Sequence, residues 1–168
     1  MTNASLPAAF PSLQLNPVTE MRDQIIQKAD KHVEHFVSLL GTGWVQMAYG
    51  MSANGFLGRN YQEEHVTLEN ALDDLSGVHR EKARKLLELA RRYIPDYQPI
   101  DWRIEVKSGY RYPMLHFTQL NYGVIEGVDA KITYDISRLA HMVTLGQAWQ
   151  ITKDPAYRNE IIAQLLDW

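Results

Sequence analysis

The stretch of sequence that decides the fold is DISRLAHMVTLGQAWQITKDPAYRNEIIAQLLDW, residues 135–168. Its first half predicts a helix from Asp135, which is a favourable N-cap residue, to about Ile151. The TKDP that follows predicts a short turn, in which Asp154 caps the next helix and Pro155 takes its first position. Because this connection is so short, we expect the two helices to form an antiparallel pair.

The first of these helices carries a narrow polar stripe. Since each helical residue turns by about 100°, the stripe covers a third of the circumference. Its members are Ser137, Arg138, His141 and Thr144. In one interpretation Arg138 pairs with Asp135, and His141 is a core histidine bonded to a backbone carbonyl. In the other, the stripe lines a cleft for an anionic ligand, with Lys131 as a further cation.

The second helix carries an apolar stripe on one side. The stripe consists of Tyr157, Ile161, Leu165 and Trp168. The chain stops on this stripe without a polar tail, which we interpret as a cut end. Such a stripe needs a cover, and the two expected covers are the C-terminal remainder of the same protein and a second copy of the chain.

Upstream of this pair, the chain predicts an arm, a helix and a loop. Residues 1–17 are rich in Pro, Ser, Ala and Asn and predict a mobile arm. Residues 18–40 have apolar side chains at helical spacing. Residues 41–58 combine glycines with aromatic side chains, which is typical of tight turns and short extended pieces. We therefore expect one helical domain over residues 18–168.

The middle of the chain predicts two more helices and one extended piece. Residues 65–75 favour a short helix, and residues 79–93 favour a longer one that ends before Pro95 and Pro99. Residues 100–106, IDWRIEV, alternate as a short strand or extended segment does. The predicted fold class is therefore mainly all-α, built from antiparallel helix pairs with a glycine-rich loop and short extended segments.

Composition excludes several classes of function. The 168 residues carry a net charge of -3, which gives no electrostatic reason to expect nucleic acid as a partner. No run of residues is long and apolar enough for a membrane span, and no secretory signal is evident. The chain has no cysteine, so disulfides, thiolate metal ligands and cysteine nucleophiles are ruled out. The sequence does not determine the cellular compartment, although it slightly favours the cytoplasm.

One pair of histidines suits a metal ion. His32 and His35 stand three residues apart in the first predicted helix, which is half of a zinc site. No third ligand is evident nearby, so we interpret both as exposed histidines. The sequence accordingly predicts no metal and no cofactor.

Several segments together resemble one protein family. They are FVSLLGTGWVQMAYGMSANGFLG (36–58), YQPIDWRIEVKSGYRYP (97–113), YGVIEGVDAKITYDISRLAHMVTLGQAW (122–149) and TKDPAYRNEIIAQLLDW (152–168). In this order they resemble the N-terminal region of heparinase II/III-like polysaccharide lyases. The resemblance implies part of an incomplete α/α toroid, which a β-sandwich follows in the family. It also implies β-elimination on uronic-acid-containing polysaccharide, in which a base removes the C5 proton and the glycosidic oxygen is protonated.

The resemblance assigns substrate-groove positions but no catalytic residue in this chain. The carried-over groove residues are Trp102, Arg111, Lys131, Tyr134, Arg138 and His141. The chain departs from the family pattern at a few positions. Tyr134-Asp135 stands where the family has Trp-Glu, Thr133 where it has proline, Tyr112 where it has tryptophan, and Ala140 where it has glutamine. Arginine suits this substrate because it holds a carboxylate or sulfate through two parallel hydrogen bonds.

Three functions follow as expectations. The first is the N-terminal portion of a polysaccharide lyase, which contributes toroid wall and substrate groove, binds acidic polysaccharide and is inactive alone. The second is a non-catalytic helical module that binds a glycan or a protein partner. The third is a small complete enzyme in which His141 acts as the base.

Overall fold

The computed structural model describes residues 19–62, 66–120 and 125–168, and within these ranges the chain is mainly helical. The prediction of a mainly helical fold is therefore confirmed. The helices are α1 (Thr19–Val33), α2 (Leu68–Asp73), α3 (Gly77–Ala90), α4 (Ala130–Ser137), α5 (His141–Thr152) and α6 (Pro155–Asp167), and a 3-10 turn spans Phe117–Gln119. Two short strands, β1 (Phe36–Val37) and β2 (Val45–Gln46), pair antiparallel.

The apolar core has three parts. The first joins the β1–β2 hairpin and the 100–106 segment to Ile132 and Ile136 of α4. The second joins α1, α5 and α6 around Leu145. The third joins α3 to α6 through Ala90 and Ala163. Helix α6 therefore contributes to two of the three parts, and its buried face positions most of the polar groups described below.

The predicted helix pair at the C-terminal end is confirmed. Asp154 caps α6, since its Oδ1 accepts from the backbone N–H of Ala156 at 2.9 Å, and Pro155 is the first helical residue. Helix α5 ends at Lys153, whose left-handed φ of 61° turns the chain back. The first residue of α5, His141, contacts Gln164 near the end of α6, so the two helices run antiparallel.

The single helix predicted over residues 135–151 is wrong. The chain forms α4 and α5 instead, and Leu139 between them has a left-handed φ of 55°. The cap of α4 is Asp129, which accepts from Lys131 N, and not Asp135. The break has a packing reason: α4 buries its apolar side chains against the hairpin, whereas α5 buries its own against α1 and α6. One straight helix would not reach both. The predicted continuous polar stripe is lost with it.

The first helix also ends earlier than the pattern predicts. The apolar spacing predicts a helix over residues 18–40, but α1 ends at Val33, and His35 adopts a left-handed φ of 61°. The apolar residues Phe36 and Val37 form β1, which pairs with β2. Their apolar character therefore belongs to a hairpin and not to a longer helix.

Three further predicted segments agree with the structure to different degrees. Helix α3 confirms the helix expected near 79–93. Helix α2 confirms a short helix within the predicted 65–75 but spans only Leu68–Asp73, and residue 65 lies outside the described residues. Residues 100–106 form turns with one isolated bridge, Ile104 to Arg111, so a regular strand is absent there. The predicted arm, residues 1–17, lies wholly outside the described residues. Among the described helices, none is long and apolar enough to cross a membrane.

The apolar stripe predicted for α6 is right for Tyr157 and Ile161, which pack in the second part of the core, and wrong for the last two residues. Tyr157 is buried, but Leu165 and Trp168 are more than half exposed. The buried face of α6 consists instead of Tyr157, Glu160, Ala163 and Gln164. Two polar side chains thus replace the expected apolar ones in the interior.

Candidate functional site

Three of the predicted groove residues share one exposed face of α4. Lys131, Tyr134 and Arg138 are separated by three and four residues, a spacing that places them on the same side of a helix. Tyr134 is 49% exposed, and the side chain of Arg138 is 74% exposed. We call these three residues the α4 face. Arg138 Nη1 donates to Asp135 Oδ1 at 2.9 Å, so the predicted Asp135–Arg138 pair is present. At such exposure an ion pair contributes little to stability.

Trp102 is half-buried, borders the groove between α2, α3 and the end of α6, and is not part of the α4 face. Its Nε1–H donates to Asp167 Oδ2 at 3.0 Å, and its indole stacks on the imidazole of His141 with centroids 6.4 Å apart. The structure therefore brings Trp102 and His141 together. Trp102 also packs against the core cluster that contains Ile132 and Ile136, which lie on the buried side of α4.

Arg111 belongs to a partly buried ion-pair network. Its Nε donates to Asp101 Oδ2 at 2.8 Å, and Nη1 lies 3.4 Å from Asp74 Oδ2. Arg103 donates to the same Asp74 oxygen at 2.8 Å and lowers the pKa of that carboxyl through the hydrogen bond. The guanidinium of Arg111 also lies over the ring of Tyr49 at 5.7 Å. These contacts hold Arg111 as a structural cation, and its Nη2 atom is buried without a partner among the described residues.

Sequence reasoning missed a buried polar chain that links α1, α5 and α6. His141 Nε2 lies 2.6 Å from Gln164 Oε1, and Gln164 Nε2 donates to Glu160 Oε1 at 2.7 Å. The same Glu160 oxygen accepts from His35 Nε2 at 2.9 Å. The side chain of Glu160 is 3% exposed. His141 is thus largely buried, which agrees with the first of the two interpretations, but its partner is a side-chain amide and not a backbone carbonyl.

The prediction that His32 and His35 are exposed is wrong. His35 is held by Glu160, and His32 packs between the rings of Trp44 and His141. No group of three or more acidic or histidine side chains among the described residues is arranged to hold a metal ion. His32 and His35 therefore make packing and hydrogen-bond contacts inside this part of the chain.

Asp167 is a second buried acceptor that the sequence did not reveal. Its Oδ2 accepts from the backbone N–H of Ile100 at 2.8 Å, from Trp102 Nε1 and from the Tyr97 hydroxyl at 3.2 Å. Burial nevertheless raises the pKa of this carboxyl above its usual range. A Leu-Leu-Asp-Trp ending gives no signal for this role, because the donors come from about 70 residues earlier in the chain.

Two cavities border these groups. A groove of about 710 Å³ lies between α2, α3 and the end of α6, with Leu72 and Leu87 on its apolar side and Asp74 and Arg103 on its polar side. A cleft of about 450 Å³ lies beside His35 and is bordered by Glu160, Tyr93 and Asn159. Neither cavity is bordered by a residue of the α4 face.

Comparison with protein-family models, with curated proteins and with solved structures found no match for this chain.

Proposed function

We propose that this chain is the N-terminal helical part of a polysaccharide lyase of the heparinase II/III-like kind, and that it binds uronic-acid-containing polysaccharide. In this proposal the helix pairs form part of an incomplete α/α toroid, and the catalytic groups lie outside this chain. The proposal is supported by the motif order in the sequence and by one structural observation, the composition of the α4 face.

The α4 face combines the groups that an acidic sugar chain requires. Tyr134 offers an exposed aromatic ring for stacking on a pyranose, and Lys131 and Arg138 stand on either side of it in the helix. A guanidinium can bind a carboxylate or sulfate through two parallel bonds, while an ammonium adds a compact charge. Asp135 holds part of the Arg138 guanidinium and limits the affinity we expect. The contact is therefore proposed as one weak subsite of a longer groove.

Arg111 and Trp102 enter the proposal in a different role. Because both are held by buried carboxylates, we propose that they position the 101–111 segment and that they do not themselves bind the sugar. His141 likewise supports the end of α6 through Gln164.

Binding can be tested with immobilised heparin, hyaluronan and alginate at low ionic strength. We expect the charge-reversing pair Lys131→Glu and Arg138→Glu to weaken retention at least about fivefold, equivalent to about 1 kcal/mol. The matched control reverses two exposed cations of α3, Lys82→Glu and Lys85→Glu, which changes net charge equally. Equal losses in both double variants would reduce the contact to non-specific charge attraction and overturn the α4 assignment.

The class of reaction is tested by the ultraviolet absorbance of unsaturated uronate products. We expect no product from this chain alone on any of the three polysaccharides, and product from a longer form that supplies the catalytic groups. Product from this chain alone would move catalysis into it and make His141 the first residue to replace. Binding to a protein partner with no polysaccharide retention would favour the alternative, a non-catalytic module, which is motivated by the exposed Leu165 and Trp168.

A further inference from the structure

The interior contains two imidazole rings in direct contact, one from each of two neighbouring helices. His32 near the end of α1 and His141 at the start of α5 have ring centroids 5.4 Å apart. Trp44 packs on the outer side of His32 at 5.5 Å, and Trp102 stacks on the outer side of His141. The four rings form a continuous series of contacts from the half-exposed Trp44 to Trp102, edge-on at Trp44, tilted within the pair and stacked at Trp102. We call His32 and His141 the histidine pair.

Hydrogen bonds fix which nitrogen of each ring carries a proton. His32 Nδ1 lies 2.9 Å from the carbonyl oxygen of Phe36, which only accepts, so Nδ1 is the donor. Gln164 donates its amide nitrogen to Glu160, so its oxygen faces His141, and His141 Nε2 is the donor there. Within the described residues, the other nitrogen of each ring has no hydrogen-bond partner. An added proton on either ring would therefore have no protein acceptor among these residues.

The charged groups around the histidine pair make a second positive charge unfavourable. Lys28 on α1 and the other ring of the pair both disfavour a proton on His32. From α6, Glu160 favours a proton on His141, but this carboxylate already accepts from His35 and Gln164. His35 opposes the effect of Glu160 on His141. The neighbours from the hairpin and the 100–106 segment are uncharged indoles.

We propose that the histidine pair is an acid-sensitive joint between α1 and α5, in which proton uptake in mildly acidic solution separates the two rings and loosens the end of α1 from the α5–α6 pair. The uncharged pair allows close packing, whereas two imidazolium rings at this distance repel each other in a poorly solvated site. We expect the end of α1 and the adjoining β1–β2 hairpin to loosen. His32 at the end of α1 contacts His141 of α5, and His35 just before β1 is bonded to Glu160 of α6.

The direction of the pH dependence follows from burial. Burial lowers the pKa of both histidines below the ordinary value of 6.5. The unfolded chain therefore binds protons more readily than the folded chain. Their contribution to stability is complete above pH 6.5 and is lost as the pH falls from there through the folded-state pKa values.

The test is a histidine titration of the whole chain by nuclear magnetic resonance, combined with urea unfolding at neutral and mildly acidic pH. We expect His32 and His141 to titrate below the ordinary histidine value of 6.5, and His32 to titrate at higher pH in the His141→Gln variant. Gln keeps a donor to Gln164, and His79→Gln serves as the matched control. We also expect His141→Gln to lose part of the acid-induced fall in unfolding midpoint, whereas His79→Gln keeps it all.

Two results would overturn the proposal. The first is a His32 titration that stays unchanged in His141→Gln, because the two rings would then not repel each other. The second is a wild-type titration of either ring at or above the ordinary value of 6.5. The titration uses wild-type protein for this second comparison, so it remains decisive if a variant fails to fold.

Discussion

Replacement of Glu160 tests the buried polar chain most directly. This carboxylate lies on the inner face of α6 and accepts two hydrogen bonds on one oxygen, from His35 at 2.9 Å and from Gln164 at 2.7 Å. Glu160→Ala leaves both donors in the interior without this acceptor. Each buried donor that loses its acceptor costs about 1–3 kcal/mol. The free energy of unfolding should therefore fall by roughly 2–6 kcal/mol, a large part of the stability of an ordinary domain.

The conservative variant Glu160→Gln separates hydrogen bonding from charge. Its side-chain oxygen can still accept from His35 and Gln164, but the bonds are no longer charge-assisted. We expect a loss of about 1–2 kcal/mol, because hydrogen bonds to charged groups are worth about twice those between neutral groups. The matched control is Glu81→Ala, which removes an exposed partner of Lys85 and should change stability by less than about 0.5 kcal/mol.

The assay is urea unfolding at neutral pH, followed by far-ultraviolet circular dichroism. With a slope of about 2 kcal/mol per molar urea, the Glu160→Ala midpoint should fall by roughly 1–3 M. A fall no larger than that of Glu81→Ala would refute the reasoning, since Glu160 would then not be the acceptor that holds α1 against α6. A Gln variant as unstable as the Ala variant would show that charge matters more than the hydrogen bonds.

Three further predictions concern single positions in the fold. Asp154→Ala removes the α6 N-cap bond to Ala156, and thermal unfolding should show a loss of about 1 kcal/mol; Asp154→Asn should restore most of it. Lys153→Gly relieves a left-handed φ of 61° at an exposed position, so the melting temperature should rise by a few degrees, about 1 kcal/mol; a lower melting temperature would contradict this. Gly109→Ala should destabilise by about 2 kcal/mol or more, because φ is 77° and a Cβ would lie 3.0 Å from Gln62 N; urea unfolding with Gly77→Ala as control checks it.

The parts of the fold that sequence predicted correctly depend on neighbours in the chain. Asp154 and Pro155 define the start of α6 because a cap bond and a fixed φ act within two or three residues. The antiparallel α5–α6 pair follows from the shortness of the same turn. The exposed Arg138–Asp135 pair was predictable for the same reason, since residues three apart meet on a helix surface.

The candidate site was predicted only in part. Lys131, Tyr134 and Arg138 are exposed together because helical spacing alone places them on one face. Trp102 and Arg111 are held away from the α4 face because their acceptors, Asp167 and Asp101, come from the end of α6 and from a separate turn. No local pattern indicates which carboxylate a buried donor will find.

Sequence by itself determined that this protein is mainly helical, where its last helix begins and how that helix turns back on the one before it. Only the tertiary structure decided that the chain breaks at Leu139 and that His35 ends α1 early. It also decided that Glu160 and Gln164 point inward. The physical reason is that caps and turns are fixed by groups a few residues apart, whereas the buried face of a helix is fixed by whichever distant apolar and hydrogen-bonding groups it packs against.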